Sequence, residues 1–425
     1  MQNHRLESSI LFFVNFFLLS SITFESVLSD FTVIFLLFIA YVTSIRGVFE
    51  EKKISFSDFY FVFVSLFFLY GVVNPTVELY THGYLFEHTK RSVLLYQIAI
   101  SSLYLGYFLF SRTDLSNAAS NKPLVSRTLQ LTIFILLLVL VIYKSIVIFS
   151  NVSFTTIFMG GEIKRLEDIT QVWVVMGYMV TAIYLYIIYN YHRFDKFFIA
   201  LFIAIFLFYV FSQLSVGNRR EFVPILIGCF WVYTRAKTVN VSFFKLSLMS
   251  LFVFAMLIFS SLRLGLGGME AAINDAIRSN EFVYPFYTLS INVQTREDFI
   301  LGYSYFILPF LFFIPRFLYE DKPQSLAHNF VVENFGEGSM GYAYNLVAES
   351  YVNFGMFGPY IFFFLIGIFI KRRVQSSDQR FIFVLYCMIP DICRGEFSSL
   401  VYQFFFLSMF LVILPFFWSK LWLRK

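Results

Sequence analysis

Residues 303–319 read YSYFILPFLFFIPRFLY. The stretch is apolar enough to cross a bilayer, and whether it does decides the orientation of everything after it. If it spanned, Lys371, Arg372 and Arg373 would move to the outer face, together with the basic tail of Lys420, Arg424 and Lys425. Inner loops of helical membrane proteins carry the excess of lysine and arginine, so that orientation breaks the charge rule twice. Pro309 and Pro315 would also interrupt a crossing helix. The stretch therefore reads as interfacial or re-entrant, inside one long outer region from Arg263 to about Tyr342.

The rest of the chain sorts by the same rule. Of its 425 residues 59% are hydrophobic, 22% aromatic and only 14% charged. A soluble domain cannot hide that much apolar surface, so the chain reads as an all-α, polytopic membrane protein. Long unbroken apolar runs exclude a barrel, whose strands would alternate. Apolar segments lie near 10–28, 31–45, 56–73, 92–110, 128–149, 171–190, 197–216, 222–234, 244–262, 343–370, 380–393 and 398–419. The loops joining them on one side hold about 19 of the 32 basic residues, which puts those loops and both termini in the cytoplasm, with about twelve spans. The net charge of +5 belongs to these inner loops and indicates no nucleic-acid partner. Residues 1–262 form the first nine spans, 263–342 the main outer loop with short helices, and 343–425 the last three. Residues 1–9 carry no cleavable signal pattern. Cys229, Cys387 and Cys393 lack metal-ligand spacing and read as small buried side chains. No internal repeat is evident, which weighs against transporters built from duplicated halves.

In this topology Arg219, Arg220, Arg263, Arg278, Arg316 and Arg394 fall on the outer side, against the usual bias. The spans at 222–234 and 381–393 cover only about 20 Å of an apolar layer about 30 Å thick. Short spans draw the flanking GNRRE (217–221) and Arg394-Gly395-Glu396 into the membrane, where charges normally face a hydrated cavity. Snorkelling, or ties to Glu221 and Glu396, is the plainer explanation for any single arginine. Taken together they suit phosphate oxygens, because the guanidinium fork binds them in pairs and stays charged. A lipid diphosphate fits, and carboxylated sugars or anionic headgroups are the other anions that would. Lys144, isolated in an apolar span, faces the bundle interior or snorkels outward.

The segment 336–359, GEGSMGYAYNLVAESYVNFGMFGP, carries Asn345, Glu349 and Asn353 at four-residue spacing, a polar stripe on an otherwise apolar helix. Gly355, Gly358 and Pro359 suggest a bend or break after it. A carboxylate on that stripe can take a proton from a sugar hydroxyl, or can simply be paired for packing. His328, in SLAHNF, is a second candidate base or substrate contact. His82 and His88 are weaker ones. No Walker A, HExxH or GxSxG pattern is present, and the inner loops are too short for a nucleotide domain. The substrate must then arrive already activated.

Four stretches, GNRRE, SLRLGLGG, FFIPRFLYEDKP with AHNF, and GYAYNLVAESYVNFGMFGP, resemble the Wzy-type oligosaccharide repeat-unit polymerases of bacterial surface glycans. DICRGEFSS is similar to an arginine-bearing outer turn in the polymerases of enterobacterial common antigen. The resemblance covers roughly the second half of the chain. It implies a GT-C-like glycosyltransferase of the inner membrane, acting at the periplasmic face without cofactor or metal. Such an enzyme moves a growing glycan from undecaprenyl diphosphate to the non-reducing end of a new carrier-linked repeat unit. Donor and acceptor are then both lipid-linked, and a chain-length regulator is the implied protein partner. By this carry-over Arg219, Arg263 and Arg394 bind diphosphate, with Arg278, Arg316 and Arg220 behind them and Asn345 and Asn353 beside the substrate. Glu349 and His328 become candidate bases or acceptor-orienting groups, followed by Glu281. An O-antigen ligase and a flippase for the same lipid-linked unit are the rival readings.

Overall fold

The computed structural model describes residues 29–51, 55–109, 125–151, 171–215, 221–236, 282–296, 298–314, 318–319, 321–336, 343–376 and 378–414. The expected spans at 10–28 and 244–262 lie outside these. Every regular element among the described residues is helical. In chain order they begin with α1 (Asp30–Glu51), α2 (Phe59–His82), α3 (Glu87–Leu109), α4 (Arg127–Asn151), α5 (Gln171–Tyr189), α6 (Lys196–Ser215) and α7 (Val223–Ala236). Then come α8 (Val283–Thr295), α9 (Tyr303–Phe306), α10 (Leu308–Phe312), α11 (Leu326–Phe335), α12 (Leu346–Phe354) and α13 (Phe357–Val374). The last are α14 (Arg380–Cys387), α15 (Ile389–Arg394) and α16 (Phe397–Ser408), which runs into a π-turn at Met409–Ile413. Among the described residues, α2, α3, α4 and α6 are long and apolar enough to cross a membrane; α5, α7 and α16 with its π-turn are shorter apolar helices.

Local chemistry sets the helix ends. The Asp58 carboxylate accepts from the Tyr60 and Phe61 amides to start α2, and Gly83, in the left-handed region, returns its amide to the Leu79 carbonyl to end it. The centre of the larger bundle is α3, buried on nearly all sides and packed against α1, α2, α8 and α13. Lipid tails are as apolar as leucine, so helices associate in the bilayer through close packing rather than hydrophobic expulsion. The α3–α13 contact is built that way: a Cβ on Gly106 would lie 2.0 Å from the Phe364 carbonyl oxygen, and one on Gly367 2.3 Å from that of Leu103. A second, smaller core joins α4, α5, α6 and α7 through Val141, Tyr184, Phe202, Tyr209 and Ile225.

Helix ends that the charge pattern puts on the same side meet. Asp30 pairs with Lys90 at 2.7 Å, where α1 and α3 begin, and the Lys371 ammonium lies 4.5 Å above the Tyr107 ring, where α3 and α13 end. The stretch at 303–319 folds into α9 and α10, separated at Ile307. With Ile307 between them they cover ten residues, about 15 Å, half of what a crossing needs. Lys322 pins the end of α10 by donating to the Phe312 and Ile314 carbonyls at 3.0 and 2.9 Å.

Two of the late apolar segments are interrupted, the first of them where Gly355, Gly358 and Pro359 suggest a bend or break. Residues 343–370 hold two helices, because Gly355 takes φ +60°, which an L side chain resists, and turns the chain between α12 and α13. The segment at 380–393 is likewise split, at Met388, into α14 and α15.

Candidate functional site

The polar stripe is real, and it is buried. Asn345 caps α12, its side-chain oxygen accepting from the Ala348 amide at 2.7 Å while its amide group donates to the Pro285 carbonyl. Glu349 and Asn353 follow on the same face, and all three are fully excluded from solvent. What meets them is set by the segment before α9. The Ile300 and Leu301 amides donate to the Val352 and Asn353 carbonyls, each at 3.1 Å, and Leu301 and Gly302 both take positive φ. This short backbone pairing delivers Ser304 onto the stripe. Its hydroxyl donates to Glu349 Oε1 at 2.5 Å and accepts from Asn353 Nδ2 at 2.7 Å.

The other oxygen of Glu349 accepts from the Phe397 amide at 2.6 Å, at the start of α16. The preceding residue, Glu396, is also buried and accepts from the Ala327 amide and the Ser398 hydroxyl, each at 3.1 Å. The DICRGEFSS turn thus holds two elements at once, α12 through Glu349 and the first turn of α11 through Glu396. His328 sits on that turn, exposed, with its backbone amide bound to the Ser325 hydroxyl at 3.1 Å. Asn353 Oδ1 and the Tyr344 hydroxyl are among the buried polar atoms of this region with no hydrogen-bond partner among the described residues. An orphan acceptor and an orphan hydroxyl in a buried site suit a water or a hydroxylated ligand.

Arg394 lies at the end of α15, largely buried, with its guanidinium 3.4 Å from Asp391, which also accepts from Gln403 at 2.8 Å. Arg219, Arg220, Arg263, Arg278, Arg316 and Glu281 lie outside the described residues. Among the described residues no group of histidine, cysteine and carboxylate side chains could hold a metal ion, and the three cysteines are free.

Sequence reasoning missed Ser304 and gave Glu396 only a tie to an arginine. Neither carries a local signal, since their partners are 45 and 69 residues away. Of the two orientations open to Lys144 from the sequence, the structure shows the bundle-facing one, with a partner that carries no local signal. Its ammonium lies 2.6 and 2.5 Å from the two oxygens of Glu221, the last residue of GNRRE. The Tyr209 hydroxyl also donates to that carboxylate, and the Trp173 ring lies 4.5 Å from the ammonium.

Apolar helices of crossing length and a buried polar cluster at a broken helix define a helical membrane protein with a polar site inside the bundle. More narrowly, the chain belongs to the O-antigen polysaccharide polymerase Wzy family, whose profile matches residues 7–425. That family acts on lipid-linked oligosaccharide units. Neither a curated protein nor a solved structure matches the chain.

Proposed function

We propose that the chain lengthens a bacterial surface glycan by moving it from one undecaprenyl diphosphate carrier to the non-reducing end of a second carrier-linked repeat unit. The acceptor hydroxyl attacks the anomeric carbon of the donor sugar and loses its proton. The bond from that carbon to the diphosphate oxygen breaks, and lipid diphosphate leaves with the electron pair. The reaction runs at the outer face of the inner membrane, in a twelve-span topology with both termini cytoplasmic.

The observation that carries this reading is the Ser304–Glu349–Asn353 cluster. It joins the polymerase-like stretch at 343–359, the re-entrant segment and the DICRGEFSS turn at one buried point. Both oxygens of Glu349 are engaged, so its role is to orient Ser304 and the turn at Phe397 rather than to take the proton itself. His328, exposed on a turn anchored to that same junction, is the better-placed base. Arg394, with Arg219 and Arg263, binds the diphosphate, where fixed positive charge helps most as the leaving group becomes more anionic. Arg278, Arg316 and Arg220 support them, Glu281 is a secondary base, and Asn345 caps α12 beside the substrate.

Purified protein given synthetic lipid-diphosphate repeat units, with no nucleotide sugar, should form a ladder of longer lipid-linked glycans. Replacing Arg219, Arg263 or Arg394 with alanine should shorten or abolish the ladder at unchanged expression. No extension of the cognate unit, combined with its transport across liposomes, would transfer the protein to the flippase reading. Transfer to a lipid A-core acceptor alone would make it a ligase.

A further inference from the structure

Next to the polar cluster lies an apolar groove of about 610 Å³, bounded by α2, α9, α12, α13, α14, α15 and α16. Half of its lining residues are aromatic, and the Tyr305 hydroxyl is its only polar side-chain group apart from a methionine sulfur. The groove and the polar cluster share structure. Phe397 lines the groove with its side chain while its amide binds Glu349, and Tyr305 lines it one residue beyond Ser304. From that end the groove follows α13 through Ile361, Leu365 and Phe369, about 12 Å of helix, to Phe381 at the basic end of α13. That stripe is not sealed by protein, since Leu365 is 57% exposed and Ile361 50%.

We propose that this groove holds the head-proximal isoprene units of the polyprenyl carrier, with the diphosphate directed at the Ser304–Glu349–Asn353 end. The inference builds on the polymerase reading and adds where the lipid lies. Three features commit it to an isoprenoid. The chain belongs to a family acting on lipid-linked glycans, so the tail must leave the bundle beside the site where the head reacts. The groove runs along the axis of α13 away from the polar cluster, the path that a tail attached to a head at that cluster would take. Its aromatic walls offer flat faces to planar, methyl-branched alkene units.

The test uses the full chain in nanodiscs with an undecaprenyl diphosphate analogue carrying a photoreactive diazirine on an early isoprene unit. Cross-links should map to α13 and α16, and excess undecaprenyl diphosphate should compete while phosphatidylglycerol should not. Leu365→Trp fills the groove from its exposed side without entering the core, and should cut labelling about tenfold. Leu207→Trp, at an exposed position on α6, should leave labelling at the wild-type level. Labelling elsewhere, equal competition by phosphatidylglycerol, or full labelling of Leu365→Trp overturns the groove. Chain extension measured on the same samples separates the two ideas. Groove labelling without any extension would remove the polymerase reading and leave the groove standing. Undiminished extension by Leu365→Trp would do the reverse.

Discussion

The Lys144–Glu221 pair gives the sharpest test of the smaller bundle. The lysine side chain is wholly buried and that of the glutamate is 8% exposed, with both carboxylate oxygens within 2.6 Å of the ammonium. Lys144→Met keeps the length and apolar stem of the side chain but strands a carboxylate inside the bundle. The Tyr209 hydroxyl still donates to Glu221, so the loss is the ion pair and the Trp173 contact. Removing one partner of a buried pair costs about 3–5 kcal/mol, most of it from the charge left behind. Glu221→Leu should cost as much for the mirror reason. The double variant removes both charges and should recover most of the loss, so the coupling energy, the two single costs less that of the double, should exceed either single cost. Unfolding by sodium dodecyl sulfate titration in mixed micelles measures all four proteins on one scale. Single variants within about 0.5 kcal/mol of wild type, or a double variant as unstable as the sum of the singles, would refute the reasoning. Because Glu221 closes the GNRRE motif, the single variants should also shorten the glycan.

Three further outcomes follow from the larger bundle. Gly106→Ala forces a methyl group into the Phe364 carbonyl and should destabilise the α3–α13 contact by at least about 1–3 kcal/mol, read by the same titration. Gly358→Ala meets the Ser350 carbonyl at 1.8 Å, so it should pry α12 from α13 and lower glycan chain length as well as stability. Glu349→Gln keeps the shape of the side chain but replaces one acceptor oxygen with an amide N–H, so either the Phe397 amide loses its acceptor or the Ser304 hydroxyl must turn from donor to acceptor. It should cost about 1–3 kcal/mol and abolish chain extension, while Asn345→Ala, which removes only a cap and one hydrogen bond, should retain extension. Full extension by Glu349→Gln would remove that carboxylate from the mechanism.

Features that depend on near neighbours were legible in the sequence. Asn345, Glu349 and Asn353 share a face because helical periodicity requires it, and Gly355 followed by Gly358 and Pro359 announced the break that the structure places there. Pro309 stands at the start of α10, just past the separation from α9, where its ring is tolerated and a continuous crossing helix is not. Partners brought together by tertiary packing were not legible. Ser304 reaches Glu349 across 45 residues, Phe397 across 48, and Lys144 reaches Glu221 across 77. No local pattern encodes such a pairing, because each partner alone reads as an ordinary polar residue in an apolar run.

The long-range contacts also explain why the polar residues tolerate burial. A lone carboxylate in an apolar bundle is costly, and Glu349 is stable there only because a serine hydroxyl and a backbone amide arrive from two other elements. Those elements are the start of α9 and the turn before α16, neither of which could hold its position as part of a continuous spanning helix. The breaks at Gly355, Ile307 and Gly395 therefore have a common cause. Each interrupts the helical hydrogen-bond ladder, and irregular backbone in a membrane protein is tolerated only where other protein groups or a cavity satisfy it. The interrupted helices and the buried polar cluster are one feature, and a polar substrate head with an apolar tail is the kind of ligand that needs both the cluster and the groove beside it.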